Sequence, residues 1–225
     1  MNADEDKRAA AHGAVEEIAD GLLVGLGNGS PASSALRRLG ERIRSGLKIR
    51  AVATSLRSSE LARAVGIDVL PFEDVAATDL AIDGTDEIDA RLYAIKGAGG
   101  AMLREKIVAA SAARMIVIAD GSKRVAAIGA ARLPVEVLPF ARGFVARRLA
   151  DLGATVALRG GATPFRTDQD NLVFDCHFAA LDDPVALDAT LSAIPGVLGH
   201  GLFLREVDSA IIAQRGQVTR IDRPV

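Results

Sequence analysis

The chain has 225 residues, 49% hydrophobic and 25% charged, with a formal net charge of -2. This length supports one large domain or one domain with a smaller companion, and the composition excludes a disordered chain. A pI of about 6.0 and 4% aromatic residues argue against a nucleic-acid partner or a base-stacking surface.

The single cysteine, Cys176, excludes an intrachain disulfide and a Cys-rich zinc site. The first residues are acidic and polar, unlike a signal peptide, and no apolar run approaches the ~20 residues of a membrane helix. A cytoplasmic protein with no membrane partner is expected.

Residues 4–20 have helical periodicity, with Ala10, Val15 and Ile18 near one face and Gly21 as the expected stop. A short apolar strand, Leu22–Leu26, then runs into Gly27-Asn28-Gly29-Ser30-Pro31. A helix follows, with Ser30 as the expected cap and Pro31 as its first residue. Strands are expected at 50–55, 68–71, 79–83 and 115–119, with helices at 58–65 and 99–113 between them. This alternation predicts an α/β fold, a mostly parallel, Rossmann-like sheet covered by helices on both faces.

The pattern changes near residue 130. A strand at 133–138, a helix at 140–152, strands at 155–158 and 171–178, and a helix at 184–193 give a β-α-β-β-α-β character. That predicts a second, smaller ferredoxin-like α+β domain. Strand-like segments at 210–213 and 218–221 are expected to rejoin the first sheet. The expected division is a larger domain of residues 1–130 plus 206–225, and a smaller one of residues 131–205.

Three segments carry chemistry. The first is Gly25-Leu26-Gly27-Asn28-Gly29-Ser30, between a strand and a helix. Glycines and a helix start suit a phosphate, although a plain tight turn fits as well. The spacing lacks the P-loop lysine, and Ser30 stands at the third glycine position of a dinucleotide fingerprint. The second is Asp83-Gly84-Thr85-Asp86-Glu87-Ile88-Asp89, four acids beyond a strand end, where α/β sheets bind ligands. Asp83 and Asp86 are the functional candidates, while Glu87 and Asp89 are expected in a solvated turn.

The third is Lys96-Gly97-Ala98-Gly99-Gly100-Ala101-Met102-Leu103-Arg104-Glu105-Lys106. On a helical wheel Leu103, Ile107 and Ala110 form an apolar stripe, and Glu105, Ala109 and Ala112 a separate line. Glu105 alone would be an ordinary surface acid near a helix start. Two carboxylates and an ammonium around one small pocket would instead suit proton transfer beside a carbonyl. His12, His177 and His200 lack metal-ligand spacing, Cys176 looks like a buried small hydrophobe, and Arg142, Arg147 and Arg148 fit a solvated helix face. Lys123 follows a strand end, from which it could reach the same ligand.

At these residues the sequence resembles the type A ribose-5-phosphate isomerase family. The matching segments are VGLGNGSPA at 24–32, DGTDE at 83–87, KGAGGAMLREK at 96–106, IADGSK at 118–123, LPVEV at 133–137, TDxxN at 167–171 and IPGV at 194–197. They run in order over nearly the whole chain. The resemblance implies an aldose–ketose isomerase acting on ribose 5-phosphate through an enediol, without a metal or other cofactor. It implies Glu105 as the base, with Lys96 and Asp83 assisting at the sugar. It further implies substrate contacts from Lys7, Gly27, Asn28, Gly29, Ser30, Pro31, Gly84, Asp86, Gly97 and Lys123. The partners it implies are a small sugar phosphate and further copies of the chain, as a homodimer or homotetramer.

The glycine loop departs from the family's usual GTGST, because Asn28 and Pro31 remove two hydroxyls. One lost hydrogen bond to a phosphate would cost about 1.5–3 kcal/mol if nothing replaced it, and the Asn28 amide is a candidate replacement for one of the hydroxyls. Leu56 and Arg57 also replace small or polar residues, and Arg57 is a candidate new phosphate contact. An isomerase acting on a different sugar phosphate therefore stays open, as does a non-catalytic sugar-phosphate sensor. A coenzyme A transferase would need a glutamate motif that the sequence does not show.

Overall fold

The structure, a computed structural model, describes residues 2–224. Helix α1 (Ala3–Val15) begins with a capping box in which Asn2 and Glu5 exchange hydrogen bonds. It ends five residues short of the predicted residue 20, because the Arg42 guanidinium takes the carbonyls of Val15 and Ile18 that a further turn would use. Strand β1 (Leu23–Leu26) then leads into α2 (Gly29–Arg44). This helix starts two residues earlier than predicted, with Asn28 rather than Ser30 at the cap position. Strand β2 (Arg50–Ala53), helix α3 (Leu56–Ala64) and strand β3 (Asp68–Val69) follow. Ser55 caps α3 by accepting from the Ser58 amide.

Next come β4 (Leu80–Gly84), β5 (Glu87–Ile88), β6 (Ala94–Ile95), α4 (Met102–Ser111) and β7 (Met115–Asp120). The second half holds β8 (Leu133–Val137), α5 (Arg142–Asp151), β9 (Thr155–Leu158), β10 (Leu172–His177), α6 (Pro184–Ser192) and β11 (Val197–His200). Strands β12 (Leu202–Phe203), β13 (Ser209–Gln214) and β14 (Gln217–Asp222) complete the chain.

Seven strands form one sheet in the order β14-β13-β7-β4-β1-β2-β3, with every neighbouring pair parallel except β13–β14. Strand order runs outward in both directions from β1, so the adjacent β1 and β4 flank a topological switch point. Both faces are buried. Ile116 and Ile118 of β7 face a core that includes Val15, Leu36 and Leu39, whereas Met115 and Val117 face one that includes Val108 and Phe203. That alternation along one strand is the period of two expected of a strand covered on both faces.

The second sheet has the order β11-β8-β10-β9, with antiparallel neighbours and helices α5 and α6 between its strands in sequence. This is the β-α-β-β-α-β unit expected from the sequence. The pattern did not predict the third sheet, β12-β6-β5, whose strands are two residues long and too short for a readable period. Among the described residues, no helix is long and apolar enough to cross a membrane.

Candidate active site

The switch point brings the three chemical segments together. The turn after β1 starts α2, the acid run continues β4, and the glycine turn 97–100 opens α4. They enclose a cleft of about 230 Å³. Its walls hold Asn28, Gly29, Ser30 and Pro31 from the first segment, Gly84 and Asp86 from the second, and Lys96, Gly97 and Glu105 from the third. Lys7 of α1 and Lys123 beyond β7 also line it.

Three charged side chains meet at the base, where Lys96 and Glu105 line the cleft and Asp83 lies behind them, outside its lining. The Lys96 ammonium lies 3.0 Å from Asp83 Oδ2 and 3.2 Å from Glu105 Oε2, and all three side chains are almost completely buried. Asp83 Oδ1 accepts from the Asn28 amide at 2.9 Å and from its neighbour Gly84 at 2.7 Å. Lys96 also donates to the Gly84 carbonyl. Glu105 Oε2 is buried, and although the ammonium is close, no donor is aligned on it.

Burial and the nearby Asp83 charge push the Glu105 carboxyl up to about 8, against the opposing pull of Lys96. Burial disfavours the Lys96 ammonium, but Asp83 and Glu105 outweigh it and hold the group protonated beyond the ordinary lysine range. The arrangement is a poised carboxylate, a fixed cation beside it and a second carboxylate that anchors the cation.

Several expectations need correction. Glu105 is not a surface acid, because α4 buries Met102, Glu105, Val108 and Ala109. The predicted stripe is largely on the outside, with Ile107 exposed. Glu87 and Asp89 are buried rather than solvated. Glu87 accepts from the Gly129 and Ala131 amides, each at 2.7 Å, and Asp89 pairs with Arg91 at 2.7 Å. The four acids therefore do not converge on a cation, and the described residues hold no His, Cys, Asp or Glu group suited to a metal ion. Gly27 lies behind the cleft wall, where a Cβ would stand 2.0 Å from Asp83 Oδ1. Its function is to let Asp83 pack against the loop. Arg57 is exposed and does not line the cleft. The Asn28 amide oxygen accepts from Ser55 Oγ at 3.2 Å, so it does not cap α2.

Sequence reasoning did not single out Thr85, Ala98, Gly99 or Asp120 as site residues, yet they complete the wall. For Asp120 a signal was available, since it ends β7 at the same sheet edge as Asp83.

An α/β sheet buried on both faces, with a buried acid–lysine–acid cluster at its switch point, defines a small-molecule enzyme with capacity for proton transfer. Comparison with known proteins makes the class specific. The family model for ribose 5-phosphate isomerase A (phosphoriboisomerase A) matches residues 50–217. A protein of Sphingopyxis alaskensis named ribose-5-phosphate isomerase A is 51% identical over 96% of this chain and 95% of its own length. The crystal structure of ribose 5 phosphate isomerase A from Neisseria gonorrhoeae aligns with a TM-score of 0.93 at 37% identity, covering 100% of this chain and 99% of that one. A D-ribose-5-phosphate isomerase in complex with phospho-erythronic acid aligns with a TM-score of 0.95 at 35% identity, covering 99% and 100%. The chain belongs to the ribose 5-phosphate isomerase A family, and it is an enzyme of the isomerase class.

Proposed function

We propose that the protein interconverts D-ribose 5-phosphate and D-ribulose 5-phosphate, with Glu105 moving a proton between C2 and C1 through an enediol. The observation that carries this reading is the buried Glu105 carboxylate, held in the cleft 3.2 Å from Lys96 with one oxygen lacking an aligned donor. Shifting a carbonyl from C1 to C2 needs one proton removed from C2 and one returned to C1. A single carboxylate within reach of both carbons serves each step, and a pKa near neutrality suits it to both. Lys96 offsets the negative charge that develops on the enediolate oxygen. Asp83 holds Lys96 in place and assists ring opening.

The phosphate end is assigned to the start of α2, with Gly29, Ser30 and the lysines Lys7 and Lys123. Support comes from their shared cleft and from an α2 N-terminus that no side chain caps. Pro31 removes one amide from this turn, while Ser55 donates to the Asn28 oxygen and leaves the Asn28 Nδ2 donors to replace a hydroxyl of the usual loop. The same reading divides the chain into a larger unit, residues 1–130 with 206–225, and a smaller one, residues 131–205. The segregation of the two larger sheets along the chain supports that division.

Proton NMR of ribose 5-phosphate with the protein in deuterated water tests the assignment. Ribulose 5-phosphate should form with loss of the C2 proton signal. An unchanged spectrum from folded protein excludes this substrate, and a panel of tetrose, pentose and hexose phosphates then separates a different isomerase from a sensor.

A further inference from the structure

The glycine turn between Lys96 and α4 is held by two side chains, and one of them comes from outside every segment considered so far. Inside the cleft, Asp86 accepts from the Ala98 amide at 2.9 Å. From the small sheet, Arg159 donates through Nη1 to the carbonyls of Gly97 at 3.1 Å and Ala98 at 3.2 Å. Arg159 directly follows β9 in the small sheet, and Asp175 of β10 braces it by accepting from Nε at 3.0 Å and from Nη2. Phe165 packs against the same turn, where a Cβ on Gly100 would come within 2.5 Å of its ring. Both side chains of the Arg159–Asp175 pair are largely buried, at 16% and 13% exposure.

The turn needs such a grip. Gly97 and Gly100 have φ of +106° and +78°, and glycine has the largest backbone freedom to lose on ordering. Within the turn the Gly100 amide donates to the Gly97 carbonyl at 2.9 Å, and the segment connects the cation to the helix that carries Glu105.

We infer that Arg159, braced by Asp175, is a positioning residue that fixes the 97–100 turn and so sets the placement of the substrate against Lys96 and Glu105. The inference rests on the isomerase reading above for its kinetic consequence. The guanidinium fork supplies donors in two directions at once, to the carboxylate and to the carbonyls, which one ammonium on a lysine stem does not reproduce.

The test compares wild type with Arg159→Met/Asp175→Asn, Arg159→Lys and Asp175→Asn, by amide hydrogen exchange and steady-state kinetics on ribose 5-phosphate. In the double variant the unpaired carboxylate is gone, so a merely structural ion pair predicts wild-type behaviour. Positioning predicts at least tenfold faster exchange in residues 96–103 and little change elsewhere. It also predicts a raised KM and a kcat/KM lowered about tenfold to a hundredfold. Arg159→Lys should show the same defects in smaller degree, and Asp175→Asn, which leaves one neutral acceptor to brace the guanidinium, should loosen the turn only in part. Unchanged exchange or unchanged KM in the double variant overturns the inference, as does full rescue by lysine. If the wild type fails to turn over ribose 5-phosphate, the isomerase reading falls, and the exchange data alone decide whether Arg159 holds the turn.

Discussion

Two buried glutamates show what burial does and does not accomplish in this molecule. Glu105 sits beside Lys96 in the cleft, and Glu136 of β8 is completely buried away from it. Glu136 accepts through Oε1 from Thr167 at 2.8 Å and Asn171 at 2.9 Å, while its Oε2 has no partner. Burial raises the pKa of both carboxyls. Glu105 has an ammonium in direct contact and lines the cleft, whereas Arg104 acts on Glu136 only through its charge. A raised pKa alone therefore does not mark a base. Access, together with a partner that favours the ionised form in use, separates the two.

The strongest way to break the comparison is Glu105→Gln. It should lower turnover about 10²–10⁴-fold while the fold persists, as read by isomerisation rate and a thermal melt. Near-wild-type turnover would remove Glu105 from the role of base. The next largest effect is on stability. Lys96→Met leaves the buried Asp83 carboxylate without its cation, and removing one partner of a buried pair should cost about 3–5 kcal/mol in a denaturant titration. Adding Asp83→Asn should restore much of that stability but no turnover.

A third experiment uses pH. Glu105 must be ionised to accept a proton, and its carboxyl lies at about 8. The pH profile of kcat/KM should fall on the acid side with an apparent pKa near that value, about tenfold per unit well below it. Glu136→Gln should leave that limb in place and change turnover by less than about twofold, the smallest effect of the series. Its signature is in stability instead. A carboxyl whose folded pKa is raised binds more protons folded than unfolded, so its contribution declines as pH rises above the ordinary value of 4.5. Melting temperature should therefore shift in favour of Glu136→Gln as pH increases through that region.

The legibility of the site varied with how local its causes are. The glycine turn after β1, the acids after β4 and the lysine before α4 each follow from a strand ending and a loop beginning, and the sequence places all of them. The orientation of α4 was not legible in this way. Leu103 and Ile107 make a plausible apolar stripe, yet Glu105 is the residue turned inward, because Met102 and Val108 share its face and pack against the sheet. The fate of Glu87 was also hidden, since its partners are the amides of Gly129 and Ala131, 42 and 44 residues on. The three-stranded sheet left no periodic trace at all.

By itself the sequence determined the alternation of strands and helices, the change to an antiparallel α+β unit, and the positions of the chemical segments at strand ends. These are consequences of hydrophobic period, turn residues and the short connections between neighbouring elements, all of which act over a few residues. The tertiary structure alone decided the rest. It set Lys96 between Asp83 and Glu105 at 3.0 and 3.2 Å, buried all three and thereby raised the Glu105 carboxyl. It also brought Arg159 to the Gly97 carbonyl across 62 residues of chain. The reason is physical: desolvation and charge coupling depend on which surfaces pack together in three dimensions, and no local pattern encodes that partnership.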